Sequence, residues 1–445
     1  MKRVAIVGGG LAGLAAAVHA QAAGAEVSLF EARNRLGGRC FSVTDRESGV
    51  AIDNGQHALM GCYHATLRYL RLCGAEHLLD RLQGLSLQMR HVDGRVAQLT
   101  AGALPPPFGP AMAFLRYGML RPMDRLRILR VALTLRFMNE GGLRTLDALS
   151  AEDWLRSLGQ GDEAIAYFWA PVVLATLNAD IREASAYLLA VVLRAVFLTD
   201  ARAMDILLPR GDLSDVLIEP ARSLLERGGA RIVTGSAVHT LLMENGRVVA
   251  LRNADGAEHV VDAVILAVAP WHCAKLLGSL PIAAPLLQVA GHFHPSPILS
   301  AHLWLRRDPG VAIMTGGLGG ALQWVFGKGT DASGNTRISC TISAAAAWER
   351  ASQQELRDMI VRELLRLYPS LSEQDVLRVV PLLEHRATFL PSPGLEAVRP
   401  SAETSIGGLY LAGDWTATSL PATIESAVLS GERAVAAMLG MWSRS

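Results

Sequence analysis

Residues 4–20, VAIVGGGLAGLAAAVHA, constrain what this chain can become more than any other stretch. A short apolar β pattern over 3–7 runs into Gly8-x-Gly10-x-x-Gly13, then into an alanine-rich helix pattern reaching about Gly24. A second β pattern, AEVSLF, leads to Glu31. Strand, glycine turn, helix, strand and acid in that register predict a parallel βαβ unit built to hold a dinucleotide. Gly8 makes the turn, Gly10 admits a pyrophosphate to the backbone, and Gly13 lets the helix pack on the strand. The N–H groups of Leu11 and Ala12 open the helix and face the anion. Glu31 is placed to accept hydrogen bonds from a ribose diol and to repel a 2′-phosphate, which favours FAD or NAD over NADP. Lys2 and Arg3 ahead of an apolar run also fit a secretory signal. A signal, however, requires neither the second strand nor the acid that closes it.

The rest of the chain narrows the classes. Its 445 residues, 51% of them hydrophobic, suffice for two or three units with large cores. A net charge of +1 gives no general attraction to nucleic acid, and no such partner is expected. Cys40, Cys62, Cys73, Cys273 and Cys340 are odd in number and include no C-x-x-C pair. They predict neither a disulfide framework nor a metal site, and they point to a reducing, cytoplasmic compartment. The apolar stretch 186–198 is interrupted by Arg194 and falls short of the roughly 20 residues that span a bilayer. A second glycine-rich run, TGGLGGALQWVF (315–326), continues in a β-like pattern rather than a helix, and reads as a hairpin turn.

Further motifs follow the first in order. EARNRLGGRC places Gly37-Gly38-Arg39 just after Glu31. ARIVTGSAVHTLL is a strand followed by Val238, and DAVILAVAP (262–270) is another strand. GLYLAGDWTATSLPATIESAVLSGERAV reads as a strand, Gly413-Asp414, a loop, and a helix from about Pro421. Together these resemble the motifs of the FAD-dependent amine oxidase and phytoene desaturase superfamily. The resemblance implies an α/β, Rossmann-type FAD-binding domain (1–95, 204–272 and 395–445) interleaved with an α+β substrate-binding domain (96–203 and 273–394). It implies FAD with Gly38 and Arg39 near its pyrophosphate and Val238 reading adenine through the backbone. Gly413 and Asp414 would lie at the ribityl or pyrophosphate region, and Thr423 and Ile424 would offer backbone N–H groups to the flavin pyrimidine edge. With no cysteine beyond Cys340, the flavin is expected to be non-covalent.

Four stretches narrow the resemblance: AIDNGQHALMG (51–61), ATLNADIREASA (175–186), LPRGDLSDVLIEPA (208–221) and LAGDWTATSLPATIESAV (411–428). They resemble the hydroxysqualene dehydroxylases, bacterial enzymes of squalene and hopanoid synthesis. One departure is Asp212, where that family is expected to carry a second glycine after Arg-Gly. The implied reaction removes a protonated allylic hydroxyl as water and delivers hydride from reduced flavin N5 to the same carbon. The segment Asp53, Asn54, Gly55, Gln56, His57 follows a short strand, and its superfamily equivalent passes the flavin ring. His57, with an ordinary pKa of about 6.5, is the leading candidate for proton donor. Gln56 would orient the hydroxyl or contact N5, and Asp53 would hold the loop. YFWAPVV (167–173) lines an apolar tunnel or packs as helix core. Alternatives on the same fold are a carotenoid-type desaturase, a protoporphyrinogen or amine oxidase, and a non-enzymatic prenyl-lipid carrier. Amine oxidases enclose their substrate with two aromatic rings and place a lysine near N5. Trp415 and Tyr410 form no obvious pair here, and Lys328 has no motif around it.

A long isoprenoid substrate partitions into a bilayer, so peripheral contact with the inner face of the cytoplasmic membrane is expected. The segment 110–138 has the character for it: Arg116, Arg121, Arg125, Arg127, Arg130 and Arg136 face a single acid, Asp124. Leu126, Leu129, Leu133 and Phe137 recur at helical spacing, with Met112, Phe114, Leu115 and Met119 as further apolar bulk.

Overall fold

The computed structural model describes residues 1–101, 104, 106–278 and 280–443. The opening βαβ unit forms as its spacing predicts: strand Arg3–Val7, helix Leu11–Ala22, strand Glu26–Phe30. Its strands sit in a parallel five-stranded sheet, ordered Arg231–Val233, Glu26–Phe30, Arg3–Val7, Ala263–Leu266 and Leu409–Leu411. Three of these strands come from the middle and late parts of the chain, so the sheet is assembled from distant segments.

Helix Ile424–Trp442 packs directly on the first helix. A side chain at Gly431 would come within 2.3 Å of the Ala12 carbonyl oxygen, so only glycine permits the approach. The buried face between the two helices and the sheet is almost wholly aliphatic, from Leu14, Ala15 and Ala16 to Val428, Val435 and Met438.

A second, seven-stranded sheet runs in the order Val376–Phe389, Pro295–Leu305, Thr336–Ser343, Trp324–Thr330, Met314–Leu318, Leu85–His91, Val96–Ala101. The run 315–326 does form a hairpin, with Met314–Leu318 antiparallel to Trp324–Thr330. Strand Leu85–His91 lies within the segment 1–95, yet it pairs in parallel with Met314–Leu318. Its Leu85, Leu87 and Met89 are buried in the helical core, which draws the strand to this sheet. Helix Gln353–Leu367 begins with a capping box of Ser352 and Glu355 and covers the other face of the sheet.

Helices between 108 and 197 complete the molecule around a core that includes Trp154, Phe168, Trp169 and Leu189. The segment 110–138 is two helices, Phe108–Arg116 and Pro122–Phe137. Proline at the first position of the second explains the break, since its ring presets the helical φ where no N–H is needed. Among the described residues no helix is long and apolar enough to cross a membrane, and no group of side chains could hold a metal ion.

Candidate flavin and substrate site

The glycine-rich turn is shaped by what its neighbours exclude. Gly8 has φ +110°, and a Cβ there would meet the Ala267 carbonyl oxygen at 2.4 Å. At Gly13 a Cβ would lie 1.9 Å from the Gly8 oxygen, so helix and turn touch through backbone. Gly10, the N-cap of the first helix, differs: a Cβ there would find nothing nearer than Gly38 Cα at 3.9 Å. Open space over a helix N-terminus, with the N–H groups of Leu11 and Ala12 behind it, fits a diphosphate. Glu31 lies at the rim, where its carboxylate accepts from the N–H of Gly9 (2.7 Å) and of Arg33 (2.8 Å). The chain leading to Val238 passes beside it, with the Ser236 N–H donating to the Glu31 carbonyl at 3.0 Å. Val238 is buried and opens strand Val238–Glu244.

The early and late motifs meet. Gly37 bridges to Gly10, and the Arg39 guanidinium donates to Asp414 Oδ2 at 2.8 Å and to the Ala387 carbonyl at 2.8 Å. Burial works against the Arg39 charge, but Asp414 outweighs it and holds the guanidinium above its ordinary value. Gly413 donates its N–H to Ser430 Oγ (2.7 Å), which fixes the turn on the last helix. That helix starts at Ile424 with Thr423 as N-cap, its hydroxyl accepting from the Ser426 N–H. The N–H groups of Thr423 and Ile424 therefore stand at a free helix N-terminus, three residues later than the expected start at Pro421. Buried Glu425 turns away to accept from Ala65 N–H, Thr66 N–H and Thr66 Oγ at 2.8–2.9 Å, capping helix His64–Leu72. Buried Arg399 donates to the carbonyls of Leu420 and Asp414 and braces the loop between them.

Segment 53–57 lies between these motifs and the seven-stranded sheet. Asp53 accepts from Ser42 Oγ (2.8 Å) and from the Leu213 N–H (3.0 Å), so it holds the loop. Gln56 points its amide oxygen into the interior with no partner among the described residues. His57 has Nδ1 3.1 Å from the Gly55 carbonyl and Nε2 3.8 Å from Cys40 Sγ. Burial disfavours the imidazolium, yet Cys40 and the Gly55 carbonyl outweigh it, and His57 titrates above the ordinary histidine value. The structure thus brings Gly10, Gly38, Arg39, Gly413 and Asp414 together, with Gly55, Gln56 and His57 beside them. Glu31 and Val238 lie at the other end of the cradle.

The fold decides several of these expectations. Asp212 has φ −80° and caps helix Leu213–Leu217 by accepting from the Asp215 N–H, so no positive φ is needed there. Phe114 and Met119 are buried in the helical core and offer no exposed apolar bulk. Leu129 is partly buried against that same core, because the inward face of its helix is Ile128, Val131 and Leu135. Phe168 and Trp169 are core, the Trp169 Nε1 donating to Gln160 Oε1 at 2.8 Å. Trp415 is fully buried and donates to the Val268 carbonyl, so it forms no aromatic wall.

A polar group on the seven-stranded sheet lies outside all of the sequence motifs. His302 donates from Nε2 to the Asp53 carbonyl at 3.0 Å, and Lys328 and Arg337 stand near the Asp53 charge. Burial pulls the Lys328 ammonium below its usual range and the His302 imidazole below its own. The signal was alternation: ILSAHLWL and RISCTIS place Ser300, His302, Ser339 and Thr341 on one side of two strands. A polar face of period two is ordinarily turned to water, and here it is turned inward.

Comparison with known proteins agrees with this geometry. The family model for flavin-containing amine oxidoreductases matches residues 11–439. A hydroxysqualene dehydroxylase of Rhodopseudomonas palustris is 33% identical over 97% of both chains. A second, of Sinorhizobium fredii, is 32% identical over the same shares. Among solved structures, an oxidoreductase from Methanosarcina mazei superposes with a TM-score of 0.76 at 19% identity, covering 98% of this chain and all of the other.

Proposed function

The chain belongs to the flavin-containing amine oxidoreductase family, and from that premise we propose that it converts hydroxysqualene to squalene with non-covalently held FAD. The observation that carries the reading is the segment Gly55-Gln56-His57, which sets a histidine held above its ordinary pKa and an unpartnered amide beside the flavin cradle. The residues that would hold the cofactor are Gly8, Gly10, Leu11, Ala12, Gly13, Glu31, Gly38, Arg39, Val238, Gly413, Asp414, Thr423 and Ile424. When bound and reduced, the flavin supplies a hydride. The chain itself must bring a proton to the allylic oxygen, orient it and keep water away. With Nδ1–H donating to the Gly55 carbonyl, the proton free to leave His57 is the one on Nε2, held only loosely at Cys40. Gln56 accepts or donates to the same oxygen. The test is anaerobic incubation of photoreduced enzyme with hydroxysqualene, with squalene expected as product. Oxidised enzyme that turns squalene into conjugated polyenes, and reduced enzyme inert on the alcohol, would overturn the reading in favour of a desaturase.

The same proposal includes delivery from the inner face of the cytoplasmic membrane. Helix Pro122–Phe137 turns Met123, Leu126, Leu133 and Phe137 outward, the last 83% exposed. Arg121 pairs with Glu163, Arg127 with Asp124, and Arg125 braces the carbonyls of Leu115 and Leu120. Among the described residues that leaves Arg116, Arg130 and Arg136 as the exposed cations of this segment without a partner, suited to anionic headgroups at about 1 kcal/mol each. Charge reversal at these three should abolish flotation with anionic liposomes while turnover of detergent-dispersed substrate persists. Undiminished flotation would remove this helix from the docking surface.

A further inference from the structure

Ser300 and His302 on strand Pro295–Leu305 pair with Thr341 and Ser339 on strand Thr336–Ser343, so the four side chains share one sheet face. Their alternates Leu299, Ala301, Leu303, Ile338, Cys340 and Ile342 enter the opposite core, under helix Gln353–Leu367. The shared face is therefore the one turned towards segment 53–57. Two contacts fix this: His302 on the Asp53 carbonyl, and Ser300 Oγ only 3.3 Å from where a Gly55 Cβ would stand. On the next strand Phe326 and Trp324 flank Ser339 and Thr341, and Trp324 also touches the helical core. Two hydroxyls thus lie between the cofactor segment and an apolar wall. Ser339 is 2% exposed, and neither its Oγ nor Thr341 Oγ1 has a hydrogen-bond partner among the described residues. Buried hydroxyls are ordinarily paired, and these two, side by side on one strand, are closed to water yet lack a partner, which a polar guest reached by turning their rotamers would supply.

We propose that Ser339 and Thr341 seat the hydroxyl oxygen of the substrate and thereby select an alcohol over the hydrocarbon it becomes. Residues two apart on a strand are separated by about 7 Å. An oxygen between them can take two hydrogen bonds of about 2.8 Å once the two hydroxyls lean towards each other to within about 5.6 Å. A site built to bond a hydroxyl discriminates strongly against an analogue that lacks one, because its own polar groups are then left unpaired. The product, lacking that oxygen, is held only by apolar contact, which favours its release. The inference rests on the dehydroxylase reading.

The experiment is titration of the oxidised holoenzyme, which cannot turn over, with detergent-dispersed hydroxysqualene and squalene, followed by flavin absorbance. The wild type should bind the alcohol at least about tenfold more tightly than the hydrocarbon. S339A/T341V should bind the two within about threefold, with squalene affinity, flavin content and melting temperature unchanged. T341S should retain the preference, and S339A alone should lose part of it. Undiminished preference in the double variant would overturn the seat while leaving the dehydroxylase reading intact. Loss of flavin or a lowered melting temperature would also overturn it, since the hydroxyls would then serve the cofactor or the fold. A wild type that neither prefers the alcohol nor reduces it to squalene would remove the underlying reading and the seat with it.

Discussion

The two surfaces that close on segment 53–57 treat their polar groups in opposite ways. On the side of the five-stranded sheet, charges are matched within the protein: Arg39 with Asp414, Glu425 with Ala65 and Thr66, Arg399 with the carbonyls of its own loop. On the side of the seven-stranded sheet, Ser339 and Thr341 are unmatched, and Lys328 loses hydration without gaining a close ion pair among the described residues. The first surface holds its shape by satisfying itself. The second is arranged for something that arrives and leaves. Mutations in the two should therefore fail differently, the first through folding and cofactor retention, the second through substrate choice.

The sharpest break is expected at Gly13→Val. The new side chain would overlap the Gly8 oxygen, costing about 3 kcal/mol or more and expelling the flavin. Thermal melting and absorbance after gel filtration check both effects. Glu425→Ala comes next. It strands two N–H groups and a hydroxyl at the start of helix His64–Leu72, a loss of about 2–4 kcal/mol in chemical denaturation. Turnover per folded, flavin-loaded molecule should nevertheless stay near wild type, because Glu425 faces away from the cradle.

His57→Ala lies on the boundary between the surfaces and should lower turnover at least about tenfold, or 1.4 kcal/mol on the barrier, with flavin retained. The protonated imidazole is the active form, so the wild-type rate should be level at low pH. It should decline as pH rises through the His57 value, which lies above the ordinary one. The variant should lack that decline. The same raised value stabilises the fold fully below about pH 6.5, and this contribution fades as pH climbs through the folded value. A rate profile identical in shape in both proteins would return His57 to a structural role. The smallest effect is expected at Asp212→Gly, a few tenths of a kcal/mol in denaturant, since glycine is a tolerable N-cap. A loss near 2 kcal/mol would mean that Asp212 also steadies the Leu213 contact to Asp53.

The same division explains what could be read before folding. The turn of Gly8 and Gly13 is legible because a strand running tightly into a helix dictates glycine at fixed, closely spaced positions. Ser339, Thr341 and Lys328 are not, because their meaning depends on which face of a sheet is buried, and that is decided by helix Gln353–Leu367 covering the other one. Segment 110–138 shows the intermediate case. Its helical period was evident, but the buried side runs through Ile128, Val131 and Leu135, and only packing against the helical core selects that side. Glu425 sits within a motif recognisable in the sequence, yet its duty as a cap for a helix some 360 residues earlier is visible only in three dimensions.

Asp414 and the helix carrying Gly431 are also the last parts of the cradle to be made. At translation rates of about 5–20 residues per second, the opening βαβ unit waits on the order of 20–80 s for the segment that completes its sheet and clamps its helix. Until then the face of the first helix that Gly431 meets, at Ala12, Ala15 and Ala16, has no cover. A nascent chain therefore lacks Asp414 and the last helix of the cradle, and flavin loading is expected to report on complete synthesis. Chains released early should stay colourless and be recognised by proteases through that uncovered helix, so cofactor content would measure intact protein rather than total protein in a cell.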